Sequence, residues 1–419
     1  MKDFPLLIVL ALWFVPACVF SQEEAESGRD GEVKSIQLYR DGFVISNPWI
    51  RLNTNEQLTL SFDILGDEEE ILYYTFEHCN AAREPDELQK YEYLKGFEEN
   101  EIEDIKASFQ MKQSYVHYTV KFPNDNVRLT KSGNYKVIVY RDTPDEPLFE
   151  RYFWIVEQRL GMDAAVGFCT AAGTRNRKQE IDFTLNTKNI TIIDPYENLE
   201  IAIMQNGDWD NRLQNISPQS IGTEEINYHF DGLLCVDGLN EFRQFNTKSL
   251  YTQTENVKRI FVRRDSVHVE LFTDKSRNGL AYVQRDDMNG KAFIGSQDLA
   301  DPDIESEYTW VWFSLESRFP VQDAAVYVFA GLTDWKISPE GKMEYDFKTR
   351  QYKTKMYLKQ GIYDYMYLVA GKDGSYDYTY FEGNHSETRN QYTIFVYYRE
   401  PNTFYDRLIG IKSVESFEH

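Results

Sequence analysis

Leu58-Thr59-Leu60-Ser61-Phe62-Asp63-Ile64 decides the fold class. Apolar and polar residues alternate through all seven positions, the period of a strand with one buried face. Val116-His117-Tyr118-Thr119-Val120-Lys121-Phe122 repeats the pattern. Between and around these two lie Lys34 to Tyr39, Ile71 to Glu77, Tyr135 to Tyr140 and Arg151 to Val156, separated by turn residues such as Gly133-Asn134. Seven or so short strands within residues 33–157 read as an immunoglobulin-like β-sandwich.

The rest of the chain reads the same way. Residues 159–298 hold strand signals at Lys178 to Leu185, Leu199 to Gln205, Val257 to Arg263 and Val267 to Phe272. The pairs Asn206-Gly207, Asn278-Gly279 and Asn289-Gly290 punctuate them as turns. Residues 303–412 hold Tyr308 to Leu315, Ala325 to Phe329, Gln351 to Leu358, Gly361 to Val369 and Gln391 to Tyr397. The expectation is an all-β chain of tandem immunoglobulin-like and E-set-like sandwiches: an N-terminal one at 33–157, a second at 159–298 and a C-terminal one at 303–412. No Ser/Pro/Gly-rich linker separates these blocks, so they are expected to pack on one another stiffly.

Composition agrees and excludes other classes. The 419 residues include 29 Tyr, 27 Phe and 7 Trp, ring types that favour strands. The formal net charge of −23 argues against binding nucleic acid, whose phosphates call for a basic surface. It argues equally against adhesion to anionic lipid, unless a local basic patch hides in the total.

Residues 1–21 carry a lysine followed by an apolar run and small residues, the layout of a secretory signal peptide cleaved after Ser21. A second reading is lipid attachment at Cys18 within Val15-Pro16-Ala17-Cys18, which partly resembles a bacterial lipobox. Export permits a disulfide. Removal of Cys18 leaves Cys79, Cys169 and Cys235, an odd set that excludes full pairing. Buried thiols are the expectation for Cys169 and Cys235, and whether any of the three pair stays open.

Catalytic chemistry finds little support. The six histidines form no H-E-x-x-H, and no nucleophile elbow or phosphate loop is present. His78 and Cys79 are neighbours on a strand and point to opposite faces, so they do not chelate one ion. The acidic loops at Asp286 to Gly290 and Asp301 to Asp303 lack the EF-hand register. The expectation is a non-enzyme with no catalytic, cofactor-binding or metal residues and no cofactor. Two short resemblances remain. Val328 to Trp335 with Gly361-Ile362-Tyr363-Asp364-Tyr365 resembles glycogen- and starch-binding sandwich modules, where Trp335 would stack on a sugar. Asp265-Ser266-Val267 resembles the O-glycosylation triplet of Bacteroides-type bacteria.

A longer pattern spans the chain. It runs through Tyr73 to Ala81, Glu92 to Phe97, Phe122-Pro123-Asn124, Thr130 to Tyr135 and Val139 to Asp142. It resumes at Glu382-Gly383-Asn384-His385, Tyr392 to Arg399 and Tyr405 to Gly410. Together these motifs resemble the plug protein family of the type IX secretion system of Bacteroidetes. Ala82-Arg83 departs from the family pattern, which has an acidic residue and Trp there, and the effect is expected to be local. The resemblance implies a periplasmic protein, peripheral to the outer membrane, that docks on the large outer-membrane translocon β-barrel and closes its periplasmic mouth when no cargo is engaged. It assigns no catalytic residues, and the partner-binding residues are not assigned. The alternative is a periplasmic or surface glycan-binding sandwich protein. Within the motifs, His78-Cys79-Asn80 is expected to end a strand and shape a loop, Gly96 and Gly133 to take unusual backbone angles, and Asn124 and Asn134 to form turns.

Overall fold

The computed structural model describes residues 31–296 and 300–417. The expected leader at 1–21, with Cys18 and Ser21, lies outside the described residues. Strands dominate, and the few helices are single turns of four residues or fewer. The all-β expectation holds.

The first sandwich has a sheet of Val33–Arg40, Leu58–Leu65, Tyr115–Phe122 and Asp104–Ala107. It faces a sheet of Trp49–Arg51, Pro147–Val156, Gly133–Tyr140, Tyr73–Cys79 and Asn100–Glu101. Leu58, Leu60, Phe62 and Ile64 fill the core with Phe76, Phe122, Tyr135 and Phe153. The alternation in Leu58–Leu65 misleads in one respect, because all eight of its residues are buried. Thr59, Ser61 and Asp63 point away from the core and are covered as well, Asp63 completely.

Strand pairing crosses the expected division of the remaining chain. Gly161–Phe168, Lys178–Asn186, Glu225–Tyr228, Ser220–Ile221 and Cys235–Asp237 form one sheet of the second sandwich. Its other sheet is Asp208–Leu213, Leu199–Gln205, Gln391–Tyr398 and Arg407–Glu415. The last two strands thus leave the 303–412 block and return to the second sandwich, with Ile201 opposite Val396. Conversely, Val257–Arg263 and Ser266–Leu271 leave the 159–298 block. Ser266–Leu271 lies parallel to Tyr308–Glu316, Val267 opposite Thr309, in the ten-stranded sheet of the third sandwich. Periodicity marks a strand but not its partner, and the partner of Ile201 lies in a distant part of the chain. The third sandwich is therefore an insertion between Asp237 and Gln391 of the second.

Cys169 and Cys235 are joined in a disulfide, Cα atoms 5.7 Å apart, which corrects the expectation of two free buried thiols. The bond closes a loop across 66 residues and staples two segments that both flank Lys178–Asn186. Replacing both cysteines by serine is expected to cost roughly 2–4 kcal/mol, read from urea denaturation of the oxidised protein against the variant. Cys79 is free and buried in the first sandwich, and burial pushes its thiol up to about 12.

Candidate functional site

The three sandwiches meet in two joints and a crevice between them. The first joint is built on the polar face of Leu58–Leu65. Asp63 Oδ1 lies 2.6 Å from Nδ1 of His117, its cross-strand neighbour. Asp63 Oδ2 accepts from Lys359 Nζ and from the Tyr308 hydroxyl of the third sandwich, each at 2.7 Å. Tyr308 and Lys359 are themselves cross-strand partners at one end of their sheet, so two adjacent strands aim both donors at one carboxylate. Lys359 Nζ also donates to the Asp303 carbonyl at 2.6 Å and sits 4.1 Å above the Tyr115 ring. The Tyr115 hydroxyl donates to the Ser306 carbonyl, and the Glu307 carboxylate accepts from the backbone amides of Lys112 and Gln113. Burial pushes the Asp63 carboxyl up, but Lys359 and His117 outweigh burial and hold it below the ordinary carboxylate range.

The second joint links the first and second sandwiches. Trp154 packs on Trp209 and Phe395, with centroids 5.5 and 4.9 Å away. The Arg83 guanidinium lies 4.2 Å from the Trp209 ring, 4.9 Å from Trp154 and 4.4 Å from Tyr152. Burial lowers its pKa to about 10, which leaves it charged at neutral pH. The departure at Ala82-Arg83 is therefore not local: its side chain reaches across to the second sandwich. Arg83→Ala is expected to cost about 2 kcal/mol, the scale of a desolvated cation–π contact, and a thermal melt or urea titration reads it directly.

The motifs from the two ends of the chain converge here. The Ala81 amide donates to Asp406 at 2.9 Å, and the Tyr397 hydroxyl donates to Asn134 at 2.7 Å. Arg407 holds Glu157 in a two-pronged pair at 3.0 and 2.7 Å. Asn134 is thus no turn former but a fully buried strand residue, whose amide also donates to the Asn80 carbonyl. His78 is buried, pairs with Asp86 through Nδ1 and lies 3.0 Å from the Ser132 carbonyl through Nε2. Asn80 closes the following loop by accepting from the amides of Ala82 and Glu84. Asn124 does shape a turn, accepting from the amides of Asn126 and Val127. Gly133 has φ +143°, and a Cβ there would lie 2.6 Å from His78 Nε2. Gly96 has φ +105°, and a Cβ there would lie 2.0 Å from the Asn126 carbonyl oxygen.

A crevice of about 650 Å³ opens where all three bodies meet, bordered by Lys34, Arg83, Trp209, Lys291 and Trp335. Trp335 packs edge-on against Phe242 and Phe329, and a Cβ on Gly290 would lie 2.4 Å from its ring. It is a wedge in the junction and not the open stacking face that the sugar-binding resemblance calls for. Arg151 of the first sandwich meets Asp334 beside it at 3.3 Å. Ser266, of the glycosylation-like triplet, is buried with its hydroxyl on the Arg263 carbonyl at 3.0 Å.

Other clusters of titratable groups serve the fold. Asp364 is buried and accepts from Gln244 and from the amides of Met288 and Gly290, with burial raising it to about 7. Among the described residues, Cys169, Glu180 and Cys235 bring three metal-capable atoms together, but the two sulfurs are bonded to each other. The arrangement does mechanical chemistry: it fixes three sandwiches to one another through desolvated ion pairs, hydrogen bonds and ring contacts. The sequence reading did not single out Asp63 or Lys359. The available signal was a carboxylate inside a strand run and a lysine at the end of another.

Three comparisons bear on this architecture. Residues 33–157 match the family model described as Type 9 secretion system plug protein 1st domain. A crystal structure of a hypothetical protein from Parabacteroides merdae is 34% identical, with TM-score 0.89, and the alignment covers 93% of this chain and 98% of that one. No curated protein matches. The match falls on the sandwich whose His78, Asn80, Gly133 and Asn134 build the second joint, and with the like structure along nearly the whole chain it leads to one conclusion: this chain belongs to the type IX secretion system plug protein family.

Proposed function

We propose that this protein is a non-catalytic periplasmic plug, which docks on the outer-membrane translocon barrel of the type IX system and closes its periplasmic opening while no cargo is engaged. The observation that carries this reading is the pair of joints. A stopper for a barrel wide enough to pass folded proteins needs breadth and stiffness. Sandwiches strung on flexible linkers would bend out of the opening. Here the Asp63–Lys359 pair and the Arg83–Trp209 stack remove that freedom. The charge of −23 favours solubility and steers the plug toward a basic rim. Reversible closure calls for an interface of standard size with a few aromatic anchors.

The test has two arms. Affinity capture of the tagged protein from detergent-solubilised envelope is expected to recover a very large outer-membrane barrel in stoichiometric amount. Deletion is expected to make the envelope leaky to solutes that the intact strain excludes. Clean capture without a barrel, under conditions that keep the translocon intact, overturns the reading.

A further inference from the structure

The third sandwich is anchored to the first at one end of its sheet. Tyr308 and Lys359 sit in the first joint, while the other ends of their strands, Glu316 and Gln351, pair at the far end. The whole length of Tyr308–Glu316 separates that far end from the joint. Three loops converge there. The Ser317 amide donates to the Arg350 carbonyl at 3.1 Å, and the Tyr345 hydroxyl donates to the Ser317 carbonyl at 2.9 Å. A relay of rings ties them together. Phe347 contacts Tyr345, Tyr345 contacts Tyr352, and Tyr352 leads through Phe381 to Tyr380.

The tip exposes what the core normally hides. Phe319 is 67% exposed and Phe347 76%, with Tyr380 beside them at 43%. Arg318, Lys348 and Arg350 flank the two phenylalanines in sequence, and among the described residues none of the three has an ion-pair partner. The acidic residues nearby are mostly engaged. Asp346 accepts from the Lys348 amide and the Thr349 hydroxyl and pairs with Lys353 at 2.8 Å. Asp323, at the end of the first loop, pairs with Lys372 at 2.8 Å. In the third loop Asp377 accepts from the Thr379 amide and hydroxyl. The free charges of the Phe319 and Phe347 loops are thus three cations against Glu316, so these two loops are locally cationic in a chain of net charge −23, while Asp377 on the third loop keeps its negative charge.

We infer that this tip is a bilayer-contact site, where Phe319, Phe347 and Tyr380 enter the interface of an anionic phospholipid membrane while Arg318, Lys348 and Arg350 engage its phosphates. Charge complementarity selects the occupant. The body of the protein is repelled by an anionic surface, so this end is the one that approaches it. Rings on exposed loops, flanked by cations, suit a fluid interface that closes around them: the two phenylalanines bury apolar surface and Tyr380 keeps its hydroxyl at headgroup level. A protein partner would instead need a preformed groove for two separate phenylalanines. The site stands independently of the plugging role, since lipid binding is measured on the purified protein alone.

Cosedimentation uses phosphatidylcholine vesicles with and without about one-third phosphatidylglycerol. Binding is expected to require the anionic lipid and to weaken with salt. The triple variant Arg318→Glu, Lys348→Glu, Arg350→Glu is expected to lower partitioning by at least roughly tenfold. Phe319→Ser with Phe347→Ser is expected to lower it by about tenfold. Both variants alter exposed groups, and an unchanged melt verifies the fold. Buried Cys79 also lets Phe347→Cys carry a single environment-sensitive label, which is expected to shift blue on vesicles. The proposal is overturned if the protein ignores the vesicles, if the variants bind as well as the parent, or if the label responds to an acidic protein surface but not to lipid.

Discussion

Lys359→Met is expected to destabilise the chain by roughly 3–5 kcal/mol, because it leaves the Asp63 carboxylate buried without its cation. Asp63 is fully buried and Lys359 only 2% exposed, so solvent does little to screen the loss. Equilibrium urea denaturation reads the cost, and limited proteolysis reads the loosened joint. The double variant Asp63→Asn, Lys359→Met is expected to recover much of the loss, since no charge then remains uncompensated. The pH dependence has a defined sign. In the parent the carboxyl is held below its unfolded value of about 3.9, so its contribution is complete above that pH and fades as pH falls through the folded pKa. In Lys359→Met the upward push of burial has lost its main opponent, so acid that protonates Asp63 is expected to shrink the deficit. A cost below about 1 kcal/mol would sink the account of the joint.

Arg243→Met is expected to reach the upper end of the same range. Arg243 Nε lies 3.0 and 3.1 Å from the two oxygens of Glu382, and Nη1 lies 2.8 Å from Asp274. One guanidinium therefore bridges two carboxylates, and Arg277 supplies the second positive charge beside Glu382. Glu382 is 1% exposed and also accepts from Arg277 Nε and the Tyr367 amide, while Asp274 accepts from the hydroxyls of Tyr365 and Tyr367. Burial alone would raise Glu382, yet Arg243 and Arg277 bring it down to about 2. Its contribution, about 3 kcal/mol for a shift from an unfolded value near 4.3, is present above that value and lost as pH falls from there toward 2. In the variant this acid-labile part is expected to shrink, since only Arg277 still opposes burial at Glu382. The measurement is stability against pH for parent and Arg243→Met, and parallel curves of equal height would refute it.

The two residues differ in how visible they are in the sequence. Glu382 opens the Glu382-Gly383-Asn384-His385 motif and drew attention through its resemblance to a family. Asp63 drew none, because an acidic residue in an alternating strand reads as a solvent-facing position. Asn134 was visible but misassigned. Beside Gly133 it looks like a turn residue, and only the approach of Tyr397 from 263 positions away turns it into a buried bridge.

Local sequence determined what local physics controls. Alternation over Leu58 to Ile64 made a strand, ring-rich composition made an all-β chain, and Gly96 and Gly133 took the backbone angles that side chains resist. Pairing lay beyond its reach, because hydrophobic periodicity selects a face without naming the strand or body that covers it. Folding sent Gln391–Tyr398 back to Leu199–Gln205, joined Cys169 to Cys235, and brought Lys359 and Tyr308 over the polar side of a strand that otherwise looked half exposed. Each of these contacts links groups far apart along the chain, beyond the range of any local pattern, so tertiary packing alone decides what meets.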